Sequence, residues 1–241
     1  MCESCGCGER DDVIEPHRHK PSGREVPVGR SLLEENDLLA GRNRAFLQKR
    51  RIFTVNLLGS PGAGKTTLLL ETVKILSERW RIGIITGDQV GDEDRRRLES
   101  PGVWVHQIET GRMCHLDAHL VGHSLEEAPE DLDILFIENV GNLVCPALFD
   151  LGESRKVVLL SVAEGADKPS KYPEMFRWAD LVLVGKTDLL PYVEFDGERA
   201  KRDLGRLRGP GRLIELSAKN HDGISEWVDW IERNAALVKK S

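Results

Sequence analysis

A glycine-rich segment at residues 59–66 constrains the fold more than any other feature of the chain. It reads Gly-Ser-Pro-Gly-Ala-Gly-Lys-Thr and fits the phosphate-binding pattern G-x-x-x-x-G-K-[ST]. The apolar, β-branched run at 52–58 predicts a strand before this loop, and the pattern at 65–79 predicts a helix after it. A chance glycine-rich turn would lack that context, so the segment predicts a nucleotide-binding domain.

The residue types in this loop suit the binding of phosphate. Glycines let backbone N–H groups converge on phosphate oxygens, and the helix N-terminus adds its positive dipole end. Lys65 is expected to reach the β- and γ-phosphates, and the Thr66 hydroxyl is expected to bind Mg²⁺. The predicted nucleotide-binding residues of this segment are Gly59, Ser60, Gly62, Ala63, Gly64, Lys65, Thr66 and Thr67.

Strand and helix patterns alternate through the rest of the chain. Strands are predicted at 52–58, 82–87, 103–108, 133–138, 156–162, 180–185 and 212–216. Helices are predicted at 65–79, 91–99, 115–125, 170–178, 195–207 and 222–238. This alternation predicts an α/β fold of the P-loop NTPase class, with a mainly parallel sheet covered by helices on both faces.

The chain divides into two parts by composition. Residues 1–30 carry Cys, His, Pro, Gly and charge but few large apolar groups, which predicts a flexible metal-binding tail. Residues 31–241 are expected to form one GTPase domain that includes an N-terminal helix. Ser31 and Glu34 resemble a capping box, so that helix is predicted to start at Ser31 and to continue to about Arg51.

Charge and hydropathy argue against two classes of partner. The formal net charge is −6 and the sequence pI is about 5.7, which disfavours a protein that binds nucleic acid by neutralising phosphates. No apolar run approaches the roughly 18 residues that a membrane-spanning helix needs. The N-terminus also lacks the apolar core of a signal peptide, so we expect a cytoplasmic protein without nucleic-acid or membrane partners.

Acidic residues near the phosphate loop are candidates for Mg²⁺ coordination. Glu138 ends the buried run at 133–137 and is the first candidate, through a bound water. Asp88 and Asp94 flank the loop after the second predicted strand and are rival or additional partners. Asp94 could equally be a helix first-turn carboxylate that complements the dipole.

Two later loops favour guanine as the base. Lys186-Thr187-Asp188 matches most of the Asn-Lys-x-Asp signature, in which the carboxylate accepts two hydrogen bonds from guanine and the lysine stem lies over the base. The residues that match the loop beside guanine O6 are Ser217, Ala218 and Lys219. Gly185 occupies the usual Asn position, which predicts weaker or less selective guanine binding.

The N-terminal cysteines predict a first metal site. Cys2, Cys5 and Cys7 lie within six residues, and cytosolic cysteines are more often metal-binding than disulfide-bonded. Three thiols can close around Zn²⁺ or Ni²⁺, with a backbone nitrogen or another group completing the shell. His17 and His19 are spare ligands nearby. The alternative is a tail whose cysteines are incidental.

A second metal site is predicted inside the domain. Cys114 and His115 are adjacent at a predicted helix start, and Cys145 follows the loop that should sense the γ-phosphate. If these loops converge, each chain supplies three ligands, and a second subunit could complete a tetrahedral shell. His119 and His123 also have metal-ligand spacing, although ordinary surface histidines are the favoured interpretation.

The spacing of these residues suggests a mechanism. Cys145 lies seven residues after Glu138. Hydrolysis should release a loop that senses the γ-phosphate, and that release would move Cys145 and open the metal shell. By linkage, the metal would then bias nucleotide affinity to the same extent.

Together, these motifs resemble the HypB family, the nickel-inserting GTPases of NiFe-hydrogenase maturation. The resemblance rests on Cys-x-x-Cys-Gly-Cys at 2–7, the phosphate loop at 59–67, Cys-His-Leu-Asp-Ala at 114–118 and Glu-Asn-Val-Gly-Asn-Leu-Val-Cys-Pro at 138–146. It extends to Asp-Leu-Leu-Pro-Tyr at 188–192 and to the C-terminal region, so it covers nearly the whole chain.

The resemblance implies slow GTP hydrolysis coupled to nickel delivery to the hydrogenase large-subunit precursor, in concert with the HypA metallochaperone. It also implies a homodimer favoured by GTP, with Cys114, His115 and Cys145 holding Ni²⁺ or Zn²⁺ near its interface. The cysteines at 2–7 would form the separate nickel site found in some members.

Other interpretations stay open at the level of the sequence. A urease-accessory metallochaperone GTPase typically carries Cys-Pro-His, which this chain lacks. A metal-storage or buffering protein with weak or vestigial GTPase activity would be consistent with Gly185 and the two metal clusters. A P-loop kinase would need an acceptor site and a lid, and neither is evident.

Overall fold

A single parallel sheet forms the centre of the structure, a computed structural model that describes residues 28–88, 98, 102–111, 113–208 and 212–240. The strand order is β3-β2-β4-β1-β5-β6-β7, and every neighbouring pair is parallel. The strands are β1 (Phe53–Gly59), β2 (Ile82–Asp88), β3 (Val103–Glu109), β4 (Ile134–Glu138), β5 (Arg155–Ser161), β6 (Leu181–Gly185) and β7 (Arg212–Glu215). Each of the seven predicted strands is confirmed, and none of their ends differs by more than one residue.

The helices lie on both faces of the sheet. In the described part of the chain they are α1 (Val28–Lys49), α2 (Lys65–Leu76), α3 (Ala118–Glu126), α4 (Cys145–Leu148), α5 (Lys168–Lys171), α6 (Pro173–Arg177), α7 (Gly197–Arg208) and α8 (Ile224–Lys240). None of these described helices is long and apolar enough to cross a membrane. The parallel sheet with helices on both faces confirms the predicted α/β architecture. The predicted helix at 91–99 lies almost entirely outside the described residues.

Several predicted helix boundaries were wrong for local reasons. The helix predicted at 170–178 is two short helices that meet at Tyr172, because Pro173 lacks an N–H and disfavours helical geometry before it. The helix predicted from residue 115 begins only at Ala118, where the Asp117 carboxylate accepts a hydrogen bond from the Leu120 N–H. The N-terminal helix begins at Val28 rather than Ser31.

Apolar residues from both sheet faces form the core. On one face, α2 and α8 pack over the central strands, and Trp227 is fully buried there. On the other face, α1 and α3 cover β2 and β4, and α6 and α7 cover β5 and β6. This two-sided burial explains why strands such as β4 are continuously apolar rather than alternating.

A buried hydrogen bond joins α2 to α8. The Trp227 indole N–H donates to Thr72 Oγ1 at 2.9 Å, and the Thr72 hydroxyl donates to the Leu68 carbonyl at 2.6 Å. Both side chains are fully buried, so no water can replace either partner. The helix that follows the phosphate loop is thereby held against the C-terminal helix.

Two asparagines of α1 form hydrogen bonds with the first residue of α3 and with the loop that follows α4. Asn36 Oδ1 accepts from the Ala118 N–H at 2.9 Å, and Asn36 Nδ2 donates to the Asp150 carbonyl at 2.8 Å. Asn43 Nδ2 donates to the carbonyls of Ala118 at 2.8 Å and Leu151 at 3.1 Å. Helix α1 therefore fixes the start of α3 relative to the loop that follows α4.

Replacing Thr72 with Val is expected to lower the free energy of unfolding by about 1–3 kcal/mol, because the buried Trp227 N–H would lose its acceptor. The shift in the urea midpoint at constant slope measures this loss. Thr54 is the matched control, since it is equally buried and no hydrogen-bond partner for its hydroxyl lies among the described residues. Thr54→Val should be neutral or stabilising, and equal losses in the two variants would contradict the assignment.

Candidate functional site

The phosphate loop connects the end of β1 to α2, as predicted from its pattern. Gly62 and Gly64 have φ values of 71° and 103°, in the left-handed region that favours glycine. Lys65 is buried, and its Nζ donates to the Ser60 carbonyl at 3.2 Å. The loop borders a cavity of about 500 Å³ that also reaches the ends of β2 and β4. Five of the eight residues predicted to bind phosphate line this cavity, namely Gly62, Gly64, Lys65, Thr66 and Thr67.

Two of the predicted Mg²⁺ residues, Thr66 and Glu138, line this cavity and contact each other. Thr66 Oγ1 donates to Glu138 Oε1 at 2.7 Å, and Glu138 is buried at the carboxyl end of β4. A hydroxyl and a carboxylate oxygen at this distance are the hard oxygen donors that suit Mg²⁺. Asp88 lies at the carboxyl end of the neighbouring strand β2, whereas Asp94 lies outside the described residues.

The two loops predicted to bind guanine converge. Ser217 Oγ donates to Asp188 Oδ1 at 2.7 Å, which orients the carboxylate. Lys186 Nζ donates to the Gly62 carbonyl at 2.6 Å and so ties this loop to the phosphate loop. A second cavity of about 180 Å³ opens between them, and its lining includes Ala63, Gly64, Thr67, Leu159, Gly185, Lys186, Asp188, Ala218 and Lys219.

Gly185 lines this second cavity and packs closely against a leucine. A Cβ added at Gly185 would lie 2.8 Å from Leu159 Cδ1, so the leucine side chain fills the space that a larger residue would use. In the GTPase signature, an asparagine at this position ties its loop to the phosphate loop. Here Lys186 makes such a tie, and the amide contact to the base is the part that is missing.

The structure brings Cys114, His115 and Cys145 together. One ligand atom of each lies within 4.8 Å of the others, and the three residues are half-buried. Cys114 Sγ is 3.7 Å from His115 Nδ1, and the His115 ring stacks on Phe149 with centroids 3.9 Å apart. Two sulfurs and one imidazole nitrogen could supply three of the four ligands of a tetrahedral Zn²⁺ ion, and they also suit Ni²⁺.

The protonation of this cluster follows from its surroundings. A hydrogen bond with Cys114 and burial raise the pKa of the Cys145 thiol above its usual value, while burial lowers the pKa of His115. At neutral pH the imidazole is therefore neutral and able to bind a metal, and the Cys145 thiol still carries its proton. A metal that binds here must displace that proton.

Asparagines that the sequence analysis did not single out connect the two sites. Asn142 pairs with Gly59 through a backbone bridge, and its Nδ2 donates to the Cys114 carbonyl at 3.3 Å. Asn139 Oδ1 accepts from the Leu116 N–H at 3.1 Å. The sequence signal for these residues was their position after a buried strand: Asn139 directly follows β4, and Asn142 comes three residues later. Polar side chains at such positions line the edge of a parallel sheet where ligands bind.

The phosphate loop has one further acidic partner that the sequence did not reveal. Ser60 Oγ donates to Glu164 Oε2 at 2.6 Å, across 104 positions of the chain. Glu164 follows β5, so this contact depends on the pairing of β5 with β1. The other predicted metal ligands, Cys2, Cys5 and Cys7, lie outside the described residues, as do their spare ligands.

Comparisons with known proteins agree with this geometry. Residues 53–215 match the family model described as the CobW/HypB/UreG nucleotide-binding domain. The hydrogenase maturation factor HypB of Azotobacter chroococcum is 49% identical over 212 residues, which is 87% of this chain and 69% of that protein.

Two solved structures are similar along most of their length. The hydrogenase maturation factor HypB of Archaeoglobus fulgidus has a TM-score of 0.79 and 40% identity, over 84% of this chain and 99% of that chain. HypB of Helicobacter pylori, solved in complex with nickel, has a TM-score of 0.79 and 35% identity, over 84% and 96%. The chain described here belongs to the HypB hydrogenase maturation factors of the CobW/HypB/UreG family.

Proposed function

We propose that this protein is a GTP-hydrolysing nickel metallochaperone whose nucleotide state controls metal binding at Cys114, His115 and Cys145. Its cargo is Ni²⁺, which it helps to insert into the NiFe-hydrogenase large-subunit precursor together with HypA. The single observation that supports this proposal most is the hydrogen-bonded connection between the phosphate loop and the Cys/His cluster. Zn²⁺ is expected to compete for the same ligands.

One connection runs through Asn142. Its backbone is paired with Gly59 at the start of the phosphate loop, and its side chain holds the carbonyl of Cys114. The Asn142 Oδ1 also accepts from the Val144 N–H at 2.8 Å, one residue before Cys145. A shift of this residue would therefore change the separation of the two thiols.

The second connection runs through Asn139. Thr66 contacts Glu138, and the next residue, Asn139, holds the backbone of Leu116 beside His115. A rearrangement at the γ-phosphate that moves the end of β4 would reach His115 along this path. By linkage, metal bound at the cluster would change nucleotide affinity by the same factor.

The nucleotide site supports GTP as the substrate. The Asp188 carboxylate, oriented by Ser217, can accept two hydrogen bonds from guanine, and adenine offers no such pair of donors. Lys65 and Thr66 would hold the phosphates, with Thr66 and Glu138 holding Mg²⁺. Mg²⁺ held by these residues would supply positive charge that offsets the negative charge developing on the phosphates during hydrolysis.

A homodimer favoured by GTP would complete the metal site. Three exposed apolar side chains, Met113, Val144 and Leu148, lie next to the ligands in sequence and are 39%, 56% and 53% exposed. Exposed apolar side chains around a three-ligand cluster support a second copy of the chain on this face. The predicted nickel site at Cys2, Cys5 and Cys7 remains part of the proposal.

Nickel titration of the reduced protein tests the proposed coupling. We expect Ni²⁺ affinity at the domain cluster to differ between the GDP form and the form with a non-hydrolysable GTP analogue, and dimer mass to follow the same dependence. Using a chain with Cys2, Cys5 and Cys7 changed to Ser removes the N-terminal thiols from the titration. Cys145→Ala should abolish the nucleotide dependence, and an unchanged dependence would contradict the coupling.

The metal-buffer alternative makes a different prediction for turnover. If the protein hydrolyses GTP, Mg²⁺-dependent phosphate release should be lost in Lys65→Ala, because this variant lacks the lysine that neutralises the β- and γ-phosphates. Lys74→Ala is the matched control, since Lys74 is an exposed lysine of α2 that pairs with Glu71. No turnover in the unmodified protein would favour metal buffering.

Removing the Asn139 side chain is expected to uncouple the two sites. Asn139→Ala breaks the hydrogen bond to Leu116, so the ratio of Ni²⁺ affinities in the two nucleotide states should fall severalfold, within the usual range of coupling energies. Asn234→Ala on α8 is the control and should leave the ratio unchanged. Retained GDP binding in Asn139→Ala shows that the fold is intact, and an unchanged ratio would exclude this path.

Restoring the amide at position 185 should improve selectivity for guanine. Gly185→Asn is expected to raise GTP affinity relative to ATP roughly fivefold, the effect of one added hydrogen bond of about 1 kcal/mol. The Leu159 side chain must rotate to admit it. Gly185→Ala adds the same Cβ without the amide, and competition binding should show no gain. Equal behaviour of the two variants would contradict the assignment of this pocket.

A further inference from the structure

A histidine pair on α3 has the geometry of a metal chelate. His119 Nε2 and His123 Nε2 are 3.2 Å apart, and the two rings are nearly perpendicular with centroids 4.6 Å apart. Both side chains are exposed, and they lie one turn apart on the same face of the helix. Neither residue contributes to the Cys114, His115 and Cys145 cluster.

The separation of the two nitrogens matches that of two ligands on one ion. With metal–nitrogen distances of about 2.0–2.1 Å, ligands of a tetrahedral ion are roughly 3.4 Å apart, and adjacent ligands at right angles are roughly 2.9 Å apart. The observed 3.2 Å lies between these values. The same distance also fits an N–H···N hydrogen bond between the two rings, which an ion would have to replace.

A carboxylate lies near one of the two rings. Glu126 Oε2 is 3.6 Å from His123 Nδ1, the nitrogen that would not bind the metal. Metal-binding histidines commonly present their second ring nitrogen to a carboxylate, which fixes the ring and makes it a better ligand. At 3.6 Å the Glu126 carboxylate lies beyond hydrogen-bond distance of this nitrogen, so a small side-chain rotation would be needed for it to support the ring.

The pair also borders a groove with room for further ligands. The groove between α1 and α3 has a volume of about 320 Å³, and its lining includes His119, His123 and Glu126 together with Arg42 and Phe46 of α1. Water molecules in this groove could complete the coordination shell of an ion. The two imidazoles would then be the side-chain ligands, since the guanidinium of Arg42 is itself a cation, and two ligands suit a weakly held, exchangeable ion.

We propose that His119 and His123 form a second, solvent-accessible site for a borderline divalent transition-metal ion, distinct from the Cys114, His115 and Cys145 cluster. Imidazole nitrogen suits Cu²⁺, Ni²⁺ and Zn²⁺, and does not suit Mg²⁺. The assignment of Ni²⁺ as the ion held there in the cell rests on the proposed function, whereas the site itself rests on the histidine geometry alone.

The test uses the full chain with all five cysteines changed to Ser, so that no thiolate site remains. Ni²⁺ alone is titrated by calorimetry, and the histidine ring resonances are followed by NMR. We expect one Ni²⁺ to bind and to broaden the resonances of His119 and His123. His119→Gln and His123→Gln should each weaken binding roughly tenfold or more, because a two-point chelate becomes a single contact.

The double variant also loses the remaining imidazole contact, so it should bind Ni²⁺ more weakly than either single variant. Glu126→Gln should weaken Ni²⁺ binding less than either histidine variant, because Glu126 is exposed and only near the second ring nitrogen of His123. His221→Asn is the matched control, because His221 is an exposed histidine with a φ of 63° that asparagine tolerates. The Ni²⁺ affinity of the His221→Asn variant should equal that of the cysteine-free chain.

Two results would overturn the proposal. The first is that the cysteine-free chain binds no Ni²⁺. The second is that His119→Gln and His123→Gln each leave the Ni²⁺ affinity of that chain unchanged. Helix content by circular dichroism checks that these exposed positions leave α3 intact. Because the chain tested lacks every thiol, the outcome is independent of the nucleotide-dependent cluster, and either proposal can fail without the other.

Discussion

The parallel pairing of β1 with β4 is the constraint on which the rest of the site depends. It places Leu57 opposite Glu138, so the chain leaves both strands at the same edge of the sheet. The phosphate loop and the loop that leads to Cys145 therefore begin side by side. The 2.7 Å contact between Thr66 and Glu138 and the bridge between Gly59 and Asn142 follow from this pairing. A strand inserted between β1 and β4 would separate the proposed nucleotide site from the proposed metal site.

Buried polar groups then hold the metal-bearing segment against the sheet. Asn56, in the centre of β1, donates to Glu153 Oε1 at 3.2 Å and accepts from Asn139 Nδ2 at 3.4 Å. Glu153 accepts from the Leu151 N–H at 2.7 Å, and burial raises the pKa of its carboxyl. Buried polar groups are costly unless they are paired, so each member of this network restricts the positions of the others.

Helix α1 holds together two segments that are far apart in sequence and that both lie beside the Cys/His cluster. Its asparagines fix Ala118, just after His115, and the loop that carries Phe149, on which the His115 ring stacks. A glycine at position 152 is required there, since an added Cβ would lie 2.7 Å from the Ala40 carbonyl. The N-terminal helix thus supports the cluster of Cys114, His115 and Cys145, which is proposed to bind metal, although none of its own residues belongs to the cluster.

The sequence by itself determined the fold class, the strands and the residues of the phosphate loop, because these depend on local pattern: buried strands read as apolar runs, and glycine spacing defines the loop. Helix limits at Pro173 and Asp117 were misplaced because proline and capping chemistry act at single residues. Only the tertiary structure decided the partners of Asn139, Asn142 and Glu164, and the approach of Cys145 to Cys114. Those contacts join positions that are far apart along the chain, and they are set by strand order and buried hydrogen bonding, which no local pattern encodes.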